Sequence, residues 1–397
     1  MTTTFPHGAL LALLAGGFTV ALAYGIVLPI TPILLAQRLG PEASVSWHTG
    51  LLTATYTFAL FLFAPAWGKV SDRWHRKGVI LIGFFGFAIA SATFAFTGSL
   101  PALYAGRFLS GAFSAAIVPV GLALLADWAP DEQVRARHFA WLNIAGIAGS
   151  LAGPAIGGSL GSMWIRGMPA SGTPFLLIAL AAGATALLAL ATLPDANPPV
   201  RGAAAHKMAR RGQLRTLLLL AFLTAWALGT FEVGLMLRAR TDLNLGPEQT
   251  GLMFVECMAV MVVAQLLVFN PWLPSRLTLR LLAPAFVLLA LAMLLLWRAE
   301  NSFMLSIAVG GVAAGGGVLS PLIAYWVSLA AGKLQGAELG WQTSAASLGQ
   351  TLGSAAAGLL IGRASGGGAF MLSGLLTLAG ALAALALSRR LSTITER

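Results

Sequence analysis

The sequence predicts an all-α polytopic membrane protein of twelve transmembrane helices, arranged as two pseudo-symmetric six-helix bundles. Three observations carry this. First, 58% of the residues are hydrophobic and only 9% charged. A soluble domain carries roughly 25% charged residues, so much of this surface must face lipid. Second, a spanning helix needs about 20 apolar residues, and runs of that kind recur twelve times along the chain. Third, the longest hydrophilic stretch, 194–214, rich in Pro, Ala and basic residues, follows the sixth run. It divides the chain into 1–193, a linker and 215–397.

The runs justify themselves in order. The first, 8–36, follows seven residues without Lys or Arg and is too long for a signal-peptide core, so it is expected to be a retained span. It holds Tyr24 and the string Gly25-Ile-Val-Leu-Pro29-Ile-Thr-Pro32. The second, 47–67, holds Tyr56 and ends at Gly68-Lys-Val-Ser-Asp72-Arg73-Trp-His-Arg76-Lys77. After the third, 78–97, the fourth, 102–126, carries Arg107-Phe-Leu-Ser-Gly111 and ends at Asp127. The fifth, 138–160, holds Asn143 and Gly149-Ser-Leu-Ala-Gly153-Pro154-Ala-Ile-Gly157-Gly158. Its glycines recur every four residues and form one flat stripe, which permits close helix contact in lipid, and Pro154 bends the helix. The sixth is 174–193.

In the second half, the run 215–237 contains Glu232, and 249–270 contains Glu256, Cys257 and Gln265. The runs 280–297 and 302–328 follow, the latter ending near Tyr325 and Trp326. The eleventh, 338–362, holds Gln342 and Ser347-Leu-Gly349-Gln350-Thr-Leu-Gly353, and the twelfth is 369–388. Gly149 and Gly153 recur 200 residues later as Gly349 and Gly353, and Arg76 as Arg276, which suggests a parallel internal repeat.

Charge sets the orientation. With the N-terminus inside, the inner loops hold 17 of the 24 Lys and Arg and the outer loops 6, with Arg107 inside a span. The positive-inside rule and the even number of passes then place both termini in the cytoplasm. The net charge of +11 reflects these loops and not a nucleic-acid partner. A lone cysteine allows no intrachain disulfide. No metal-spaced Cys/His cluster or Walker-type loop occurs, so no metal or cofactor is expected. His48, His75 and His138 are scattered through different loops, which argues against an integral membrane enzyme.

The Gly68-to-Lys77 string resembles the cytoplasmic signature of the major facilitator superfamily, a Gly followed by Asp-Arg and then Arg-Lys. The Gly-Pro-x-x-Gly-Gly of the fifth run resembles the antiporter motif of that superfamily's twelve-helix drug:proton exporters. Arg107 resembles the family's intramembrane arginine. Pro29 and its neighbours, Gln335-Gly336 and the Ser347–Gly353 string are similar to the same branch. The resemblance implies the major facilitator fold and export driven by a proton gradient. It implies that Gly68, Asp72, Arg73 and Arg76, joined by Asp127, latch the halves together inside. It implies that Arg107 assists proton transfer, and that Gly149, Gly153, Pro154, Gly157 and Gly158 mark an exporter. Two departures stand out: Pro274-Ser-Arg276-Leu-Thr-Leu-Arg280 lacks the Gly and Asp-Arg of a second-half signature, and the first run has no acidic residue.

Proton coupling needs a group that changes charge inside the membrane. Only Glu232 and Glu256 lie well inside a run, so one or both are expected to carry the proton, with Arg107 tuning a nearby site. Tyr24, Tyr56, Asn143, Gln265, Tyr325, Trp326, Gln342 and Gln350 are the polar or aromatic candidates for a midplane cavity. Helix packing would employ the same residues. A pocket with so few charges suits lipophilic or cationic drugs. The expected protein is thus a monomeric multi-pass exporter in the inner (cytoplasmic) membrane, its partners being small-molecule substrates, protons and the bilayer. Export of one metabolite, such as a siderophore, sugar or amino-acid derivative, and a non-transporting receptor remain the alternatives.

Overall fold

A computed structural model of the chain describes residues 5–39, 44–96, 99–164, 173–195, 211–241, 247–268, 275–331, 335–363 and 368–395, with thirteen α-helices and no strand among them. In the first half these are α1 (His7–Leu39), α2 (Ser44–Arg73), α3 (Arg76–Phe96), α4 (Leu100–Ser114), α5 (Val118–Trp128), α6 (Glu132–Trp164) and α7 (Thr173–Thr192). The second half holds α8 (Arg211–Thr241), α9 (Pro247–Val268), α10 (Ser275–Arg298), α11 (Ser302–Ala331), α12 (Gln335–Arg363) and α13 (Gly368–Thr395). Most of the expected linker lies outside the described residues.

Twelve passes result because α4 and α5 together fill the fourth run, Leu100–Trp128. A continuous helix was expected there, but the helix is interrupted at 115–117. Pro119, in the first turn of α5, has no N–H for the carbonyl four residues earlier. Ala116 and Ile117 instead donate to the carbonyls three residues back, Phe113 and Ser114, at 3.1 and 3.0 Å.

Eight segments of the described residues are long and apolar enough to cross a membrane. Helices α2, α6, α9 and α12 fall short by that measure, α9 with a shorter apolar stretch, Leu252–Val268. These four are the second and fifth passes of each half. On the outer helices the apolar side chains point outward. Leu180 and Leu187 of α7 are 69% and 61% exposed, and Leu375 and Leu382 of α13 are 54% and 69% exposed. Seven-residue spacing puts each pair on one stripe. Such stripes suit a solvent of lipid chains and would be a liability in water.

The chain forms two compact units. One comprises Met1–Pro130, Trp141–Arg201 and Lys333–Ser344; the other comprises Asp131–Ala140, Gly202–Gly332 and Ala345–Arg397. The start of α12 thus belongs to the first unit and the start of α6 to the second. In the first unit α3 packs on α4 and α7, α1 on α7, and α2 on α4. In the second, α10 packs on α11 and α13, α11 on α9, and α8 on α11 and α13.

The glycine repeat is a packing repeat. A Cβ on Gly149 or Gly153 would run into the backbone of α1 at Phe18 and Gly25. One on Gly349 or Gly353 would run into the carbonyls of Phe222 and Trp226 on α8. In each unit, therefore, the fifth pass lies directly against the first, at a separation only small residues allow. Gly157, Gly158 and Pro154 fall on α6, but their side-chain environment lies outside the described residues.

One charge is placed differently from the expectation. Arg238, one of the six charges expected in the outer loops, is 7% exposed within α8. Its guanidinium donates through Nη1 to the carbonyl of Leu296 and through Nη2 to that of Ala299 at 2.8 Å. Leu296 is in the last turn of α10 and Ala299 directly follows the helix, where C-terminal carbonyls lack partners and the helix dipole favours a cation.

Candidate functional site

Three constellations contain the residues singled out by the sequence. The first lies at the end of α2. Gly68 brings α2 against the start of α12, since a Cβ there would overlap the Gly336 carbonyl. That approach sets the Asp72 carboxylate, 3% exposed, under the first turn of α12. It accepts hydrogen bonds from the Gly336 and Ala337 amides at 2.8 and 2.7 Å. The first N–H groups of a helix have no internal partner, and the dipole makes this end positive, so a carboxylate is held well there. Arg76 spans the two acids, with Nη2 to Asp72 at 3.0 Å and Nε to Asp127 at 2.5 Å. Its Nη1 donates to the Ser71 hydroxyl at 3.0 Å, and Ser71 in turn donates to the Gly68 carbonyl at 2.8 Å. Gly68, Asp72, Arg76 and Asp127 are therefore brought together. Arg73 is exposed and takes no part in the network. Sequence reasoning missed Ser71 and the two backbone amides. It also missed Lys69, whose Nζ sits 5.4 Å from the centre of the Trp341 ring.

The second constellation is built on α2 and α4. A Cβ on Gly111 would meet the Tyr56 carbonyl, so the two helices touch there. Trp67 Nε1 ties them again by donating to the Ala112 carbonyl at 2.7 Å. Arg107 lies one turn before Gly111 on the same face. Its Cζ stands 4.6 Å from the centre of the Tyr56 ring, a cation–π arrangement. Tyr24 of α1 packs beside Tyr56 with ring centres 5.8 Å apart. The Tyr56 and Ser114 hydroxyls are hydrogen-bonded at 2.9 Å. Arg107 is only 4% exposed, and its Nε and Nη2 have no hydrogen-bond partner among the described residues.

The third constellation is in the second unit. Glu232 of α8 is half-buried, and its Oε2 accepts from Gln350 Nε2 of α12 at 3.2 Å. The glycines at 349 and 353 that draw α12 onto α8 flank this residue, so the packing stripe also delivers the amide. Phe231 against Phe254, ring centres 6.1 Å apart, holds α9 alongside α8. Glu256 of α9 is half-buried. Cys257, buried, follows Glu256 on α9.

The remaining cavity candidates scatter. Gln265 is fully buried with neither amide atom hydrogen-bonded among the described residues, and Asn143 is half-buried with its Nδ2 unpaired. Gln342 is half-buried on α12. Tyr325 and Trp326 are engaged with neighbouring helices. Tyr325 is wholly buried, with its hydroxyl 3.4 Å from Glu132, and Trp326 Nε1 donates to Thr278 at 3.2 Å. No group of three or more metal-ligating side chains occurs among the described residues.

Comparison with known proteins gives a consistent picture. The sequence profile of the Major Facilitator Superfamily matches residues 13–281. The class B tetracycline resistance protein of Escherichia coli is 34% identical over 160 residues, which cover 40% of this chain and 38% of that protein. The class C protein, also from Escherichia coli, is 36% identical over 182 residues, covering 46% and 44%. The chain thus spans less than half the length of these tetracycline resistance relatives. The quinolone resistance protein NorA of Staphylococcus aureus (strain MRSA252) is 24% identical over 353 residues, covering 86% of this chain and 87% of NorA. Among solved structures, the human organic anion transporter MFSD10 (TETRAN) superposes with a TM-score of 0.80 at 21% identity. That match covers 95% of this chain and 99% of the other, a likeness of fold.

Proposed function

This chain belongs to the Major Facilitator Superfamily, and we propose that it is a secondary active transporter that exports small lipophilic molecules, drugs among them, in exchange for protons. The observation that carries the reading is the Glu232–Gln350 pair, an intramembrane carboxylate whose hydrogen-bond partner is a neutral amide. A carboxylate paired with a cation is held ionised. One facing an amide can take up and release a proton, which is what coupling to a proton gradient requires. Glu256 shares its surroundings and is the second carrier. The tetracycline and quinolone resistance relatives support export of drugs.

The cycle is one of alternating access between two six-helix bundles, 1–193 and 215–397, joined by the linker. Substrate enters from the cytoplasm, a proton arriving from outside competes with it, and substrate leaves outward. The Asp72–Arg76–Asp127 network, with Asp72 on the amides of α12, is the cytoplasmic latch. The protein acts as a monomer in the cytoplasmic membrane with both termini inside. It needs no cofactor other than the proton gradient.

The test is proton release on adding tetracycline or norfloxacin to purified protein in weakly buffered detergent. Wild type releases protons on binding, and Glu232→Gln does not. Binding without release in wild type, or undiminished release from the Glu232→Gln and Glu256→Gln variants together, would sink the mechanism.

A further inference from the structure

The first 194 residues contain only five acidic groups: Glu42, Asp72, Asp127, Asp131 and Glu132. Asp72 and Asp127 are committed to Arg76 and the start of α12, and Asp131 and Glu132 lie at the start of α6. Glu42 precedes α2. No carboxylate therefore lies in the spans of this half, yet Arg107 sits inside one of them, 4% exposed.

A guanidinium stays protonated in any protein environment. Buried without a counter-ion it is costly, and such charges in membrane proteins are paired or mark a pathway. The face of Tyr56 offsets part of that cost but neutralises nothing. The Tyr56 hydroxyl is occupied with Ser114. The guanidinium edge at Nε and Nη2 has the fork geometry that suits a planar oxyanion and has no hydrogen-bond partner among the described residues. Beside it stand two aromatic rings, Tyr24 and Tyr56, which can receive the apolar body of a small molecule.

We propose that Arg107, with the Tyr24 and Tyr56 rings, is the subsite for a negatively charged group on the transported molecule: a carboxylate, enolate or phenolate attached to an apolar, preferably aromatic, frame. The transported class is then anionic and zwitterionic amphiphiles, whereas the scarcity of charges in the spans suggested lipophilic or cationic drugs. Arg107 supplies the counter-charge, and a bound oxyanion offsets the cost of burying it. This rests on the reading of the protein as a transporter of small molecules.

The test uses full-length protein in detergent and a matched fluorescent pair, dansylglycine and its methyl ester, which share a frame and differ by one negative charge. A charge-assisted pair replacing no pair predicts that wild type binds the acid at least about tenfold more tightly than the ester. Arg107→Gln brings the ratio to about one by weakening the acid alone, and Arg107→Lys keeps part of the preference, as a charge without the fork would. Equal affinities in wild type, no saturable binding of the acid, or a preference that survives Arg107→Gln overturns the proposal. If Arg107→Gln fails to fold, the wild-type ratio and Arg107→Lys decide. Measurements begin in gluconate buffer. If chloride displaces the acid from wild type, the subsite belongs to an inorganic anion and the proposal fails. Proteoliposomes separate the two readings. A charge preference in binding with no movement of either probe under a proton gradient refutes the transport reading and leaves the subsite. Movement without charge preference does the reverse.

Discussion

Replacing Asp72 by Asn should release the start of α12 while leaving the rest of the protein folded. The carboxylate accepts from two backbone amides, one on each oxygen, and from Arg76 on the first. Asn keeps one acceptor oxygen. Its NH2 group must face either the Ala337 N–H or both the Gly336 N–H and the guanidinium, donors with nothing to receive; the first costs less. One charge-assisted hydrogen bond is therefore lost outright, the other becomes neutral, and the buried ion pair disappears, although Arg76 retains Asp127 at 2.5 Å. A hydrogen bond to a charged group contributes about 1.5–3 kcal/mol. The sum of one lost and one weakened bond comes to about 3 kcal/mol, or roughly a hundredfold in the opening equilibrium of that turn. Hydrogen–deuterium exchange measured by mass spectrometry reads this directly, because local opening exposes the amides. Peptides covering 335–344 should exchange roughly a hundredfold faster in Asp72→Asn, with α8 and α13 unchanged. Asp127→Asn should give a smaller acceleration, since that side chain is 26% exposed and contacts only Arg76 in the network. Unchanged exchange over 335–344, or an equal acceleration everywhere, would refute the assignment of Asp72 as the anchor of α12.

Gly353→Leu should destabilise the second unit by several kcal/mol, because its Cβ would overlap the Trp226 carbonyl and backbone cannot yield as a side chain can. Thermal unfolding in detergent followed by tryptophan fluorescence should show a lower midpoint. Gly183→Ala, in a helix with nothing within 4 Å of the added carbon, should unfold at the same temperature or higher. Arg238→Leu should cost about 2–4 kcal/mol, since two carbonyls at the end of α10 lose their donor, and Arg238→Lys should recover part of it in the same melting experiment. Equal midpoints for wild type and Arg238→Leu would show that water replaces the cap.

The glycine stripes were legible in the sequence because their spacing reports their purpose. Four-residue periodicity puts small residues on one face, and their recurrence after 200 residues announces the same contact in both halves. The acidic partners of Arg76 were legible too, as charges at the end of a run. Arg238 was misread for an ordinary reason. A cation near the end of an apolar run looks like a loop residue, and the carbonyls that bind it lie at the end of α10, where no side chain signals them. The interruption of the fourth pass had a visible cause in Pro119, but whether a proline bends a membrane helix or breaks it depends on what the neighbouring carbonyls find.

By itself the sequence determined that the chain crosses lipid repeatedly as helices. The bilayer offers no partner to a backbone amide, so long apolar runs have one solution, and composition alone reveals it. It also determined which few polar groups fall within the apolar runs, since each such group stands out against an apolar background. What only the tertiary structure decided is which of these groups meet. Asp72 is anchored by amides 264 and 265 residues away. Glu232 faces Gln350, and Arg107 faces two tyrosines and, among the described residues, no carboxylate. Backbone amides and carbonyls carry no residue identity, and partners on different helices are set by packing distance and rotation. One-dimensional order records neither.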